Sequence, residues 1–303
     1  MTATGIERWW SEGESVPLDV AGVRREVFVS RAGSGPVMTL LHGFPSSSHD
    51  WAKVAPALAA HHTLLMPDFL GFGASEKPAG HDYSIHEQAD LVVALWQHEA
   101  VHSTHLVAHD YGTTVAQELL ARRTDASLTT RITSLTLLNG GIYPELHRPE
   151  PSQSALLDPE TGPQLSASLD AELLTAALAP TFADGYDPGT DTAQMWQGLS
   201  RENGHLHAHR LIRYITDRTA HRDRWVDAME ASDPPKAFIW GLLDPISGAH
   251  MAERIAERMP DATLDALANV GHWPPLEAPQ RVAALILAAV SRLEVRRHRP
   301  RRH

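Results

Sequence analysis

The stretch LVAHDYGTTVAQELL, Leu106 to Leu120, reads as a buried strand, a sharp turn and a helix. Leu106, Val107 and Ala108 are apolar in succession, as in a strand covered on both faces. Beyond Thr113, the positions of Val115, Ala116, Leu119 and Leu120 follow a helical period. Between strand and helix, Ala108 and Gly112 flank Asp110 at two positions on either side. A turn that tight lifts the side chain at its apex above the sheet, and the start of a helix favours a negative charge there. Aspartate is also an ordinary helix cap, so the assignment needs support from other parts of the chain.

Working outward, four further apolar runs end at glycine or aspartate: PVMTLLHG (36–43), HTLLMPDFLG (62–71), TSLTLLNGG (133–141) and KAFIWGLLD (236–244). Helix-period segments lie between them at Trp51–Ala60, Ile85–Glu99, Thr113–Arg123, Gly248–Arg258 and Ala278–Leu293. Such alternation predicts a parallel sheet with helices on both faces, an α/β fold. Val16–Ala21 and Arg24–Ser30 alternate polar and apolar and predict an antiparallel edge. Residues 142–222 contain no strand-like run, many prolines and several helical patterns. They read as a helical lid, leaving 1–141 and 223–303 as the core. Insertions at the carboxyl edge of a parallel sheet cover a ligand crevice.

Two further residues join Asp110. Asp244 closes the strand that follows the insertion, and His272 lies in VGHWP on the loop before the last helix. Aspartate, aspartate, histidine in this chain order matches nucleophile, acid and base of the α/β-hydrolase triad. Leu41-His42-Gly43-Phe44-Pro45 ends the first parallel strand, where the Phe44 N–H would serve an oxyanion hole with the N–H of Tyr111. Asn139, at the end of the sixth strand, is an amide and cannot replace Asp244 as the acid. Of His205, His207 and His209 in HLHAH, the first and last would share one helix face, but no carboxylate or third ligand at useful spacing joins them, so no metal is expected.

Composition narrows the partners. The 303 residues carry 26 basic and 37 acidic side chains, a net charge of −11, which disfavours nucleic acid and anionic membrane surfaces. With no cysteine, disulfides, thiolate metal sites and cysteine nucleophiles are excluded. The longest apolar run, Val282 to Val290, falls well short of the ~20 residues that span a bilayer. The first residues show no basic region followed by an apolar core, so the expectation is a soluble, cytoplasmic protein. The Arg-rich tail VRRHRPRRH reads as disordered. Monomer and homodimer both remain open.

From about Val16 to Leu293 the chain resembles the α/β-hydrolase superfamily, in its branch with an aspartate nucleophile. That branch holds epoxide hydrolases and haloalkane dehalogenases. LLHGFPSSSHDW, DFLGFGASEKP, YSIHEQA, HDYGTTVAQELL, LNGGIYPELHRP and GLLDPIS carry a closer resemblance to the mesoderm-specific transcript proteins, which extends into the insertion through LIRYITDR and RW. The resemblance implies an eight-stranded, mostly parallel sheet flanked by helices, with a helical cap inserted after the sixth strand. Haloalkane dehalogenases hold the halide with ring N–H or amide donors at the positions of Tyr111 and Phe44, and Phe44 has no such donor. Fluoroacetate dehalogenases carry arginines where Tyr111 and Thr114 stand. Epoxide hydrolases fit the HGFP loop and need cap tyrosines. Tyr214 in LIRYITDR falls where one is expected, with Tyr186 or Tyr143 as candidates for the second. The reading is an epoxide hydrolase acting on a small neutral epoxide without metal or cofactor. Dehalogenation, or another hydrolysis through aspartate, is the alternative. A non-catalytic small-molecule binding protein is a second alternative.

Overall fold

The computed structural model describes residues 5–297; the last six residues of the basic tail lie outside it. Eight strands form one sheet: β1 (Glu14–Val20), β2 (Val23–Ala32), β3 (Val37–Leu41), β4 (Thr63–Pro67), β5 (Ser103–His109), β6 (Arg131–Leu138), β7 (Lys236–Gly241) and β8 (Thr263–Leu267). Their spatial order is β1-β2-β4-β3-β5-β6-β7-β8. The second strand runs antiparallel to both of its neighbours, and all pairings from β4 to β8 are parallel.

The pleat sorts apolar residues onto two faces. Leu41, Leu65, Leu106, Ala108, Phe238 and Trp240 join one buried cluster, whereas Met38, Leu40, Leu64, Met66, Val107 and Ile239 join the other. The first cluster is covered by α1 (Ile85–His98) and α2 (Tyr111–Thr124). The segment 142–222 contributes α3 (Pro151–Leu157), α4 (Gly162–Ser168), α5 (Ala171–Leu178), α6 (Gly189–Ser200) and α7 (Tyr214–Ala220). It is followed by α8 (Arg222–Ala231), which returns to pack on α2, and by α9 (Ala249–Arg258). The second face is covered by α10 (Pro279–Arg297) and Ala55–Ala59. Two-sided coverage explains why the central strands lack a polar alternation.

The edge strand β8, TLDAL, is only partly buried; with no continuous apolar run, it escapes a reading based on hydrophobicity. The expected helix at Trp51–Ala60 is instead a 3-10 turn at Ser48–Trp51 and a short helix at Ala55–Ala59. The last helix runs to Arg297, so the first residues of the expected disordered tail are helical. The lid helices are short because prolines and turns interrupt them, and positive φ angles at Glu202 and Asn203 break the chain before His205. Leu174, Leu199, Leu211 and Ile212 of this segment belong to the same apolar cluster as Phe69 and Phe72 beneath it. Among the described residues, no helix is long and apolar enough to cross a membrane.

Candidate active site

Asp110 sits between β5 and α2 with φ 45° and ψ −107°, a conformation that non-glycine residues rarely adopt. Gly112 allows it: a Cβ there would lie 2.7 Å from the Leu41 carbonyl oxygen and 2.8 Å from that of His42. The Asp110 carboxylate is 4% exposed and its two oxygens face different groups. Oδ2 accepts the Phe44 N–H at 2.9 Å. Oδ1 lies 3.5 Å from the Tyr214 hydroxyl, 3.8 Å from His272 Nε2 and 3.7 Å from Arg218 Nη2. Tyr111 is the first residue of α2, where a backbone N–H has no partner within the helix.

His272 Nδ1 meets Asp244 Oδ2 at 2.7 Å, and both side chains are buried. Burial disfavours the imidazolium, but the charge and hydrogen bond of Asp244, with Asp110 behind, outweigh it and raise His272 to about 9. Burial likewise opposes the Asp244 charge. His272, Ser247 and Asn139 reverse that effect and hold the carboxyl well below the usual carboxylate range. Asn139 Nδ2 donates to Asp244 Oδ2 at 2.9 Å, while Asn139 Oδ1 accepts the Gly241 N–H at 2.6 Å. The amide thus positions the carboxylate across the β6–β7 junction. Next to Asp110 in the chain, His109 donates through Nε2 to the His272 carbonyl at 2.7 Å. Glu277 accepts from the Gly271 and Trp273 N–H groups, and from Ala183 of the lid segment. The histidine loop is therefore pinned from both sides.

The loop after β3 is equally constrained. His42 donates through Nδ1 to the Gly43 carbonyl and accepts the Phe69 N–H on Nε2, a neutral tautomer that burial favours. Asp68, for which no chemistry is expected, bridges the Ser48 and Ala74 N–H groups at 2.7 Å each.

Over Asp110 lies a cavity of about 350 Å³. Phe44, Asp110, His272 and Trp273 line its core side, and Leu156, Leu165, Leu174, Leu178, Leu199 and Ile212 line its lid side. Tyr214 is not among the lining residues: it is fully buried against Phe44 and Tyr111, and what sets it apart is its hydroxyl, 3.5 Å from Asp110 Oδ1. Burial and the neighbouring Asp110 charge push its phenol up, so it remains a proton donor. The other two tyrosines are corrections. Tyr143 donates to Glu230 Oε1 at 2.9 Å, and Tyr186 donates to Asp191 Oδ2 at 2.5 Å; neither lines the cavity. Each is held by a carboxylate elsewhere, which satisfies its buried hydroxyl.

Arg218 takes the place beside Asp110 that neither tyrosine fills. It is 1% exposed and lies one helical turn after Tyr214. An arginine in a helical pattern ordinarily reads as a solvated charge; its spacing of four from Tyr214 was the available signal. Among the described residues, no group of three or more His, Cys, Asp or Glu has the arrangement of a metal site.

Residues 36–279 match the family model described as the alpha/beta hydrolase fold. The chain belongs to the α/β-hydrolase family. This hydrolase-family chain is 38% identical over 282 residues to the mesoderm-specific transcript homolog protein of Bos taurus, covering 90% of this chain and 84% of that one. It is 35% identical over 290 residues to the putative hydrolase LipZ of Mycobacterium tuberculosis, covering 95% and 99% of the two chains. Among solved structures, a haloalkane dehalogenase loop variant from Bradyrhizobium elkanii superposes with a TM-score of 0.77 at 20% identity, covering 95% of this chain and all of the other. The epoxide hydrolase CorEH gives a TM-score of 0.72 at 22% identity, with 93% and 100% covered. At these identities the two structures speak for the fold alone.

Proposed function

We propose that this chain is an epoxide hydrolase that opens a neutral, apolar epoxide to a vicinal diol through an ester on Asp110. The observation that carries the reading is the division of labour at the carboxylate. Oδ2 is held by the Phe44 N–H, and Oδ1 is left to attack beside a protonated phenol, Tyr214. A carboxylate suits attack at saturated carbon because it is ionised at neutral pH without a base.

The proton inventory supports this choice. In the resting site the proton lies on His272, between two carboxylates. Asp110 Oδ1 forms a bond to an epoxide carbon as the carbon–oxygen bond breaks, and Tyr214 stabilises the alkoxide by donating its hydrogen bond. The alkoxide ends as a hydroxyl by taking the His272 proton, directly or through Tyr214. His272 is then a neutral base at the moment a base is needed. It removes a proton from water, which attacks the ester carbonyl carbon, and the oxyanion forms at the N–H groups of Phe44 and Tyr111. Collapse releases the diol, with His272 returning its proton to the departing oxygen. The Asp110 carboxyl then reprotonates His272, and the cycle closes with one water consumed.

A departing halide takes no proton, so in dehalogenation the His272 proton would pass to solvent once alkylation has removed the Asp110 charge that helps to hold it. Of the core-side positions, Phe44 has no halide donor, Tyr111 is not among the residues lining the cavity, and the Trp273 Nε1 donates to Thr181 at 2.8 Å. Relatives named haloalkane dehalogenase, 25% identical over 260 residues, keep that reading as the competitor. The test is a panel of styrene oxide and a long-chain terminal epoxide with diol detection, against bromoalkanes with halide release. Diol formation abolished by Asp110→Ala is expected. Halide release without any diol would overturn the reading. No ester on Asp110 in His272→Gln, by intact mass, would instead favour a small-molecule binding protein.

A further inference from the structure

The cap cation Arg218 is bound tightly but left with one exposed obligation. Its Nε donates to Thr114 Oγ1 at 2.6 Å, its Nη2 donates to the Asp110 backbone carbonyl at 3.0 Å, and its guanidinium lies 4.5 Å above the Tyr214 ring. Nη1 has no hydrogen-bond partner. It points toward Gly141, where a Cβ would lie 2.4 Å from Nη1 and 3.1 Å from His147 Nδ1. Burial, with the Arg218 charge, lowers His147 to about 4, so this ring is neutral near neutral pH and does not offset the guanidinium. Among the described residues, the carboxylate at ion-pair distance from Arg218 is Asp110, at 3.7 Å.

We propose that Arg218 is a positioning residue for the hydrolytic half of the cycle, as the counter-charge of the nucleophile. It is paired with Asp110 in the free protein and loses its anion when Asp110 is esterified. The inference rests on Asp110 forming an ester, whichever electrophile forms it.

The charges then order the two half-reactions. Before attack, Arg218 and His272 both face a negative Asp110. Alkylation neutralises that carboxylate and leaves a buried cation without a partner, which is costly in a site of low polarity. Every later event restores negative charge to the same carboxyl group, first as the tetrahedral oxyanion and then as the free carboxylate. Each is stabilised by a fixed cation a few ångströms away. The same cation opposes a proton on His272 while Asp110 is neutral, and so favours the base form. Arg218 therefore acts against the covalent intermediate and in favour of its hydrolysis. A purely mechanical latch between cap and core would slow both halves alike.

The experiment separates these roles. Single-turnover reactions with styrene oxide, quenched and followed by intact mass, give the rates of ester formation and ester loss. Arg218→Met is expected to accumulate the ester, with hydrolysis slowed by about 10²-fold, the scale of losing one oxyanion partner, and alkylation far less affected. Arg218→Lys should restore most of the hydrolytic rate, and added guanidinium should restore part of it in Arg218→Ala. If both rates instead fall in parallel with the melting temperature, with no ester accumulating and no rescue, Arg218 is only a latch and the proposal fails. His272→Gln, in which Arg218 is intact, is the control for the nucleophile. If it traps no ester from styrene oxide, a long-chain terminal epoxide or bromohexane, the nucleophile assignment fails and takes this proposal with it.

Discussion

At the scale of single residues, His272 holds the greatest leverage, because its protonation is tied to folding. Its ordinary value of 6.5 is raised to about 9 in the folded site. A raised value means that the folded state binds the proton more tightly than the unfolded chain. The resulting stability is therefore fully present below pH 6.5 and is lost as pH climbs through about 9. Denaturant unfolding of wild type across this range should show that loss, and His272→Gln should lack it. An identical slope in both proteins would show that His272 is not the group responsible. Residue scale is also where the sequence spoke most clearly and most misleadingly. Asp110, Asp244 and His272 were legible because each ends a strand or opens a loop at the same sheet edge. Tyr143 and Tyr186 were not, because closeness along the chain to that edge does not say which way a side chain points. Tyr143 turns to Glu230, outside the cavity. Arg218 was hidden by its chemistry, since burial of an arginine depends on a partner more than a hundred positions away.

At the scale of elements, the strand-to-helix units were legible from runs of apolar residues, whereas β8 and the lid helices were not. The former is half-exposed and polar in part; the latter owe their ends to turns and to packing against one another. What fastens the elements is equally invisible in a linear reading. Glu118 on α2 is 2% exposed and accepts from Arg122, from Arg224 and Trp225 on α8, and pairs with His86 on α1. Three helices thus meet on one carboxylate, beside the unit that carries Asp110. Burial opposes its charge, but His86, Arg224, Arg122 and Trp225 hold its protonation well below the ordinary range. Glu118→Ala should lower stability by about 3 kcal/mol, because it leaves the buried Trp225 indole N–H without its acceptor and takes one anionic partner from each of Arg122 and Arg224, which keep Asp90 and Asp125. Chemical denaturation measures the loss. A change below about 0.5 kcal/mol, the ordinary scale for surface sites, would show that the junction is held by packing alone.

At the scale of the whole molecule, the cavity belongs to neither half of the chain alone. Its floor is the sheet edge, with Phe44, Asp110 and His272, and its roof is leucine-rich helix from residues 151–212. On the proposed reading, the roof reads substrate length and supplies Tyr214, while the floor supplies the nucleophile and the base. Leu174→Trp should fill the roof side: kcat/KM for a long-chain terminal epoxide should fall by about tenfold or more, while a two- or three-carbon epoxide loses little, in line with the worth of a few methylenes in an apolar pocket. Equal losses for both would mean that Leu174 does not bound the substrate. The net charge of −11 adds a second filter, since it disfavours the approach of anions and leaves neutral epoxides unaffected.

Arg218 and Tyr214 reach Asp110 from the roof, on one short helix, while the triad remains in the floor. Two parts of the chain therefore meet in one site. A floor that keeps its three residues can acquire a different reaction whenever its roof is exchanged, because the roof brings its own charge and its own proton donor as a unit. Chimeras that graft residues 142–222 onto a related floor would transfer the electrostatics of the nucleophile without altering a single triad residue.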